Sequence, residues 1–302
     1  MKFEHIVARH ENQTIIEIEG LTCPSTILHL TDSHMNETDG REGLDILAES
    51  IRDYGFDALE TRRFFTEALA YANERRCDGV VLTGDIVNGA TINNLDYLDR
   101  QLRLLTSPYL YTLGNHDWEY PFQAWSDETR RSQYPKFNRF VDGNPACQSK
   151  VVNGVNLMAL DNSTYQITEK QLAFAEKQLA RGLPTLLFMH IPIYIPSLLE
   201  DVMKNWRAPI MMAAEGWDKR LQKTWLVEDP TAETRRFYRL LMENPYRNLI
   251  AVFCGHVHFA HVDAFGQGSY QYVTKAGFLG GYRMIRLLPY GLRMHQGISP
   301  KT

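Results

Sequence analysis

An α/β fold follows from three observations on this chain. Short apolar, β-prone runs alternate with helical periodicities through the first half. The second half is richer in β-type runs. A short polar motif closes each of five apolar runs, where a strand would deliver it to one edge of a sheet. At 302 residues, 44% hydrophobic and 23% charged, the chain can bury a sizeable core and has too few charges for wholesale disorder. A single domain over residues 1–302 is expected.

The elements are justified in order. Thr14-Ile15-Ile16-Glu17-Ile18 and Thr26-Ile27-Leu28-His29-Leu30 read as strands, and the second leads into Asp32-Ser33-His34. Helices are expected over about 42–54 and 58–76. In the latter, Phe65, Ala68, Leu69 and Ala72 recur at helical spacing. The short, largely apolar run at 79–83 reads as a buried strand and delivers Gly84-Asp85. Leu95, Leu98, Leu102 and Leu105 mark a helix, and the strand at 109–113 leads into Gly114-Asn115-His116-Asp117. Strands at 150–152 and 155–160 flank Asn153-Gly154, a hairpin signal. Thr168-Glu169-Lys170-Gln171 has capping-box spacing and opens a helix with Leu172, Ala175 and Leu179 inward. The run at 185–189 ends at His190. Asp229-Pro230 reads as a helix N-cap and first helical residue, ahead of Phe237, Leu240 and Leu241. The run at 249–253 leads into Gly255-His256-Val257-His258, and strands near 260–264, 270–274 and 283–288 complete the fold.

The stretch at about 194–228 breaks this pattern. It holds Pro196, Pro209, Met203, Met211, Met212, Trp206, Trp217 and Trp225, with weak periodicity. It is too apolar for a linker and is expected to be a cap-like insertion. The plain alternative is an irregular helical excursion packed on the core.

Composition narrows the function classes. A net charge of −4 argues against a basic nucleic-acid face. No run approaches the roughly 18 apolar residues of a membrane span. Met1 to Gly20 has no apolar signal-peptide region, so a cytoplasmic protein is expected. Cys23, Cys77, Cys147 and Cys254 are scattered without a CxxC pair; Cys77 and Cys254 are expected to be buried thiols, with no disulfide framework.

Each motif alone has a plain reading. Asp-x-His is an ordinary loop, Gly-Asp a helix cap, Gly-Asn-His-Asp a turn, His190 a core histidine, and His-x-His a satisfied pair. Together they offer two Asp, one Asn and four or five His, oxygen and imidazole donors suited to hard or borderline divalent metals. That suffices for two ions, and a metal pair about 3.5–4 Å apart is a standard device for hydrolysing phosphate esters. Asp32 and His34, at i and i+2 on an extended segment, would face the same side.

All five motifs, in this order, resemble the calcineurin-like metallophosphoesterase superfamily, whose pattern is DxH, GD, GNH[DE], H and GHxH. The resemblance runs from about Leu28 to Val262 with every motif position filled. It implies a four-layer α/β/β/α sandwich of two mixed sheets, with a dinuclear metal site at the strand ends. It implies Asp32, His34 and His258 on the first metal, Asn115, His190 and His256 on the second, and Asp85 bridging them. The ions would be divalent or mixed-valence Mn, Fe or Zn. His116 would sit beside the phosphate and stabilise or protonate the leaving oxygen. Asp117 is expected to orient His116 through a ring nitrogen.

The expected function is a phosphohydrolase that cleaves a small phosphomonoester or phosphodiester by attack of a metal-bridging hydroxide. The alternatives are a pyrophosphatase-type hydrolase of nucleotide or lipid-linked diphosphates and a non-catalytic binding scaffold. Purple acid phosphatases carry an iron-ligating Tyr three residues after the Asp of the GD motif. Here that residue is Asn88, which resembles the cyclic-nucleotide phosphodiesterase branch. Trp118 and Tyr120 are candidate pocket walls. His29 is expected to be a strand histidine, His261 a surface one, and Tyr97 and Phe174 packing residues.

Overall fold

The computed structural model describes residues 1–6, 10–41, 55–118 and 126–291; the helix expected over 42–54 and Tyr120 lie outside them. The first half runs β1 (Phe3–Ile6), β2 (Gln13–Ile18), β3 (Ser25–Leu30), α1 (Ala58–Glu74), β4 (Gly79–Thr83), α2 (Ile92–Leu102), β5 (Tyr109–Thr112), a single-turn α3 (Asn115–Trp118) and α4 (Asp127–Phe137). The second half runs β6 (Cys147–Val152), β7 (Val155–Leu160), α5 (Glu169–Leu179), β8 (Thr185–Phe188), α6 (Pro196–Trp206), α7 (Lys219–Trp225), α8 (Ala232–Glu243), β9 (Leu249–Cys254), β10 (His261–Phe265), β11 (Ser269–Val273) and β12 (Arg283–Pro289).

The strands form two six-stranded mixed sheets, ordered β1-β2-β12-β3-β4-β5 and β10-β11-β9-β8-β7-β6. In the first, β3, β4 and β5 run parallel; in the second, β7, β8 and β9 do. The two parallel cores carry all five polar motifs at their carboxyl ends. That is the edge at which open α/β sheets place ligand sites.

Burial divides into three apolar layers. Between the sheets lie Ile16, Ile27, Val81, Leu157, Phe188, Ile250, Phe253 and Ile285. The outer face of the first sheet packs Leu28, Leu30, Val80 and Leu82 against Phe65, Leu69, Leu95 and Leu98 of α1 and α2. The outer face of the second packs Met158, Leu187 and Val252 against Leu172, Ala175, Leu179, Phe237 and Leu241 of α5 and α8. This is the four-layer α/β/β/α sandwich expected. Each wholly buried Leu, Ile or Phe contributes about 1.5–3 kcal/mol to it.

Local chemistry sets the boundaries. The Asp57 carboxylate caps α1 by accepting from the Leu59 and Glu60 amides. The capping box at Thr168 and Gln171 forms as expected. Asn153 and Gly154 both take positive φ (48° and 84°), the geometry of a type I′ hairpin turn. The start of α8 corrects the sequence reading. Its N-cap is Thr231, which accepts from the Thr234 amide, while Asp229 binds the Lys219 and Gln222 side chains. Cys77 and Cys254 are buried free thiols, as expected. Among the described residues no helix is long and apolar enough to cross a membrane.

Candidate metal centre

Two triads meet where the parallel strands of the two sheets end. Asp32, His34 and His258 form one, and Asp85, His190 and His256 the other; within each, the donor atoms all lie within 4.8 Å of one another. Asp85 touches both groups. Its Oδ2 lies 3.0 Å from His190 Nε2 and 3.8 Å from His34 Nε2. The triads are also coupled through Asp32, whose two oxygens accept from the His256 amide at 3.1 and 3.0 Å. Asn115 opens the turn beside them, and its buried Oδ1 accepts no hydrogen bond among the described residues. His116 follows, half-buried, with its amide donating to Asp85 Oδ1 at 2.8 Å and its ring centroid 4.9 Å from that of His34.

The backbone reaches this arrangement by a route the sequence did not suggest. Asp32 (φ 51°), His34 (φ 46°), Asp85 (φ 50°), His256 (φ 70°) and His258 (φ 67°) all sit in the left-handed region. An extended segment is expected at 32–34; instead tight turns fold each candidate ligand back toward the centre. Non-glycine residues in this region cost roughly 1–2 kcal/mol each, and such strain concentrates at functional sites. The turns are clamped by further hydrogen bonds. The amides of Asp32 and His34 donate to the carbonyls of Gly84 and Asp85 at 3.0 and 2.8 Å, and that of Gly255 to His190 at 2.9 Å. Two motif glycines serve close approach. A Cβ on Gly114 would lie 2.2 Å from Asp85 Oδ1, and one on Gly255 2.1 Å from Asp32 Oδ2.

The electrostatics suit cations. Asp32 and Asp85 are wholly buried carboxylates, and buried charge needs a partner. Burial opposes the charge of Asp32, but His258 and His190 outweigh it and bring the carboxyl to about 2. Burial pushes His34 down to about 3 and His256 well below the usual imidazole range, leaving both as neutral lone-pair donors. Burial also opposes charge on His190, yet Asp85 lifts it to about 9. The field that holds a proton there would hold a cation. With the unsatisfied Asn115 oxygen, this donor set fits two divalent ions.

Asp117 departs from its expected role. Its Oδ2 accepts from the Asp85 and Gly114 amides at 2.9 and 2.8 Å, and its Oδ1 from the Val87 amide and the Tyr111 hydroxyl at 3.0 and 2.8 Å. A carboxylate offers about four acceptor sites, and these bonds use them. Asp117 therefore ties the β4 loop to the β5 loop. It is not placed as the orienting partner of the His116 ring.

Other singled-out residues sort as follows. Trp118 is buried in the core and donates to Ser163, so it is not an open pocket wall. His29 is buried between the hydroxyls of Thr274 and Thr83. Three half-buried aromatics that the motifs did not flag stand around the first triad. Phe56 stacks on His34 at 4.6 Å, Phe278 lies edge-on to His258 at 5.0 Å, and Trp206 lies edge-on to His258 at 5.2 Å. Tyr165 was missed as well; its hydroxyl is 2.7 Å from His256 Nε2. The one available signal was position, since Tyr165 follows the parallel strand β7 just as the motifs follow their strands.

A family model for calcineurin-like phosphoesterases matches residues 25–260. Among solved structures, the chain is similar to a dimetal phosphatase from Danio rerio, with 13% identity and a TM-score of 0.56, covering 87% of this chain and 93% of that one. It is also similar to the purple acid phosphatase PPD1 of yellow lupin seeds, Lupinus luteus, with 14% identity and a TM-score of 0.52, covering 89% of this chain and 46% of that one. At such identities the likeness is one of fold. A search of the curated proteins finds no match.

Proposed function

The chain belongs to the calcineurin-like phosphoesterase family, a family of metal-dependent phosphoesterases, and on that premise we propose that it hydrolyses a small phosphomonoester or phosphodiester at the paired triads. The observation that carries this reading is the reach of Asp85 to both triads, with His116 hydrogen-bonded to the same carboxylate. Asp32, His34 and His258 would hold one ion, Asn115, His190 and His256 the other, and Asp85 both. Bound there, two divalent ions neutralise phosphate charge and make water a nucleophile at neutral pH.

The chain's own groups do the rest. Asp32 and Asp85 supply the fixed negative charge, and the left-handed turns hold the imidazole lone pairs inward. His116, on the rim, protonates or stabilises the leaving oxygen, a contribution of about 10²–10⁴-fold. Phe56, Phe278 and Trp206 give the open side an apolar wall for the organic part of the ester.

The test is a panel of aryl monoesters, aryl diesters, cyclic nucleotides and nucleoside diphosphates, run with Mn²⁺, Fe²⁺ and Zn²⁺ separately. Turnover of a monoester or diester is expected. Cleavage of the diphosphates alone would move the assignment to a diphosphatase, and no turnover with no bound metal would leave a scaffold. Asp85→Asn serves as the paired control. An amide lacks the charge that serves two cations, so both ions and activity should be lost together. Loss of a single ion with near-normal turnover contradicts the bridge.

A further inference from the structure

Tyr165 takes no part in the chemistry above, yet it is built into the site. It is buried, at 2% exposure, and sits at φ 63°, a costly conformation for a bulky aromatic residue. The Tyr165 amide donates to the Asn162 carbonyl at 2.8 Å, closing a turn after β7. Asn162 Oδ1 in turn accepts from the amides of His190 and Ile191 at 3.2 and 3.0 Å. The same short loop therefore braces His190 through its backbone and meets His256 through its ring. The Tyr165 ring lies edge-on to His256 at 5.5 Å and to Trp217 at 6.3 Å. Its hydroxyl is 2.7 Å from His256 Nε2.

The two nitrogens of His256 face different surroundings. Nδ1 points to the second triad, 3.3 Å from His190 Nε2. Nε2 points to Tyr165. A neutral imidazole carries one N–H, so a lone pair on Nδ1 for an ion requires the hydrogen on Nε2. In this buried place that hydrogen needs an acceptor, and an unmatched buried donor is costly. The Tyr165 oxygen is the acceptor at hand. Were the phenol to donate to Nε2 instead, the hydrogen would sit on Nδ1 and block it.

We propose that Tyr165 is a positioning residue for the second metal site, its phenol oxygen accepting the Nε2–H of His256 and so fixing the tautomer and ring orientation that leave Nδ1 free for a cation. This rests on the metal-centre reading but on no particular substrate. Partners of this kind typically change metal affinity 10- to 100-fold.

The test compares the parent with Tyr165→Phe, which keeps the ring and its packing. Three quantities are measured: affinity for Mn²⁺ at each site by chelator competition, thermal stability, and the His256 tautomer by ¹⁵N NMR of metal-free protein. One Mn²⁺ should weaken about 10- to 100-fold while the other holds, and the Nε2–H share of His256 should fall. Unchanged affinity at both sites, or equal weakening at both with a matching loss of stability, would overturn the proposal. If the variant fails to fold, the parent alone decides: an Nδ1–H tautomer in the metal-free chain rejects the role, and an Nε2–H tautomer supports it. A parent that binds no Mn²⁺ at all would sink the metal-centre reading, with the tautomer still reporting on Tyr165.

Discussion

Asp85 and Asp117 are neighbouring buried carboxylates whose pKa values are pushed in opposite directions. Burial opposes charge on Asp85, but His190 and His116 hold it well below the usual carboxylate range. Burial and then the charge of Asp85 push Asp117 up to about 7. The first faces imidazoles, and the second spends its oxygens on three amides and a hydroxyl. Asp117→Asn offers one acceptor oxygen in place of two and leaves buried donors unmatched, at roughly 1–3 kcal/mol each. The expected outcome is a lower melting temperature, with the leaving-group dependence of turnover unchanged; a selective loss on poor leaving groups would restore Asp117 as the partner of the His116 ring. His116→Ala should keep both ions and slow turnover by about 10²-fold or more, less for nitrophenyl esters than for alkyl esters. An equal loss across leaving groups would make His116 a phosphate binder, and loss of metal would make it a ligand.

At the scale of elements, one ion-pair cluster joins α6 to β10. His261 Nδ1 lies 3.0 Å from Asp201 of α6, and its Nε2 lies 3.0 Å from Asp263 of β10. Ser197 of α6 also donates to Asp263. The surface histidine expected from the sequence is thus half-buried between two carboxylates. The hydrogen bond to Asp263 raises its pKa, and burial opposes the rise. A histidine raised on folding stabilises fully below its unfolded value near 6.5, and that stability is lost as pH rises through the folded value. His261→Gln should therefore melt below the parent at about pH 6, with the deficit narrowing from about pH 6.5 upward. A melting series across pH settles it: a deficit independent of pH means the charge is not what joins the elements.

At the scale of the molecule, the segment at 194–228 belongs to two regions at once. Leu198, Val202, Ile210, Met211 and Met212 join the outer core of the second sheet. One of its tryptophans, Trp206, lies edge-on to His258 at 5.2 Å. The Trp206 indole donates to the Val257 carbonyl at 3.0 Å and packs on Trp225, while Trp217 stands between Tyr165 and a cavity of about 660 Å³. We propose that this segment caps the site and sets substrate preference. Trp206→Ala and Trp217→Ala should each change KM or the substrate ranking with metal content intact. Parent-like kinetics for both variants across the panel would leave the segment with a purely structural role.

The sequence alone carried the β/α order around the five motifs, the strands that lead into them and the candidate donors, but not β1 or α4. Strand β4 was legible because the apolar run Val80-Val81-Leu82 and Thr83 lie between a Gly and a Gly-Asp, and α5 because its capping box is a local signal. These features act over a few residues, so a linear pattern records them. Only the tertiary structure decided how these residues are held together. The left-handed turns at Asp32, His34, Asp85, His256 and His258 are held by clamps between distant loops, and the mild preference of Asp and His for this region does not by itself place them there. Asp117 reads as a catalytic neighbour in the sequence, yet its bonds reach back some 30 residues to the β4 loop, as far as Asp85 and Val87. Asp229 loses the cap of α8 to Thr231 because Lys219 and Gln222, brought in by α7, take its carboxylate. Tyr165 and His256 are separated by 91 residues, and the bond between them exists only because β7 and β9 end on the same edge. A motif can name the candidate ligands, but their neighbours are chosen by which loops the two sheets bring face to face.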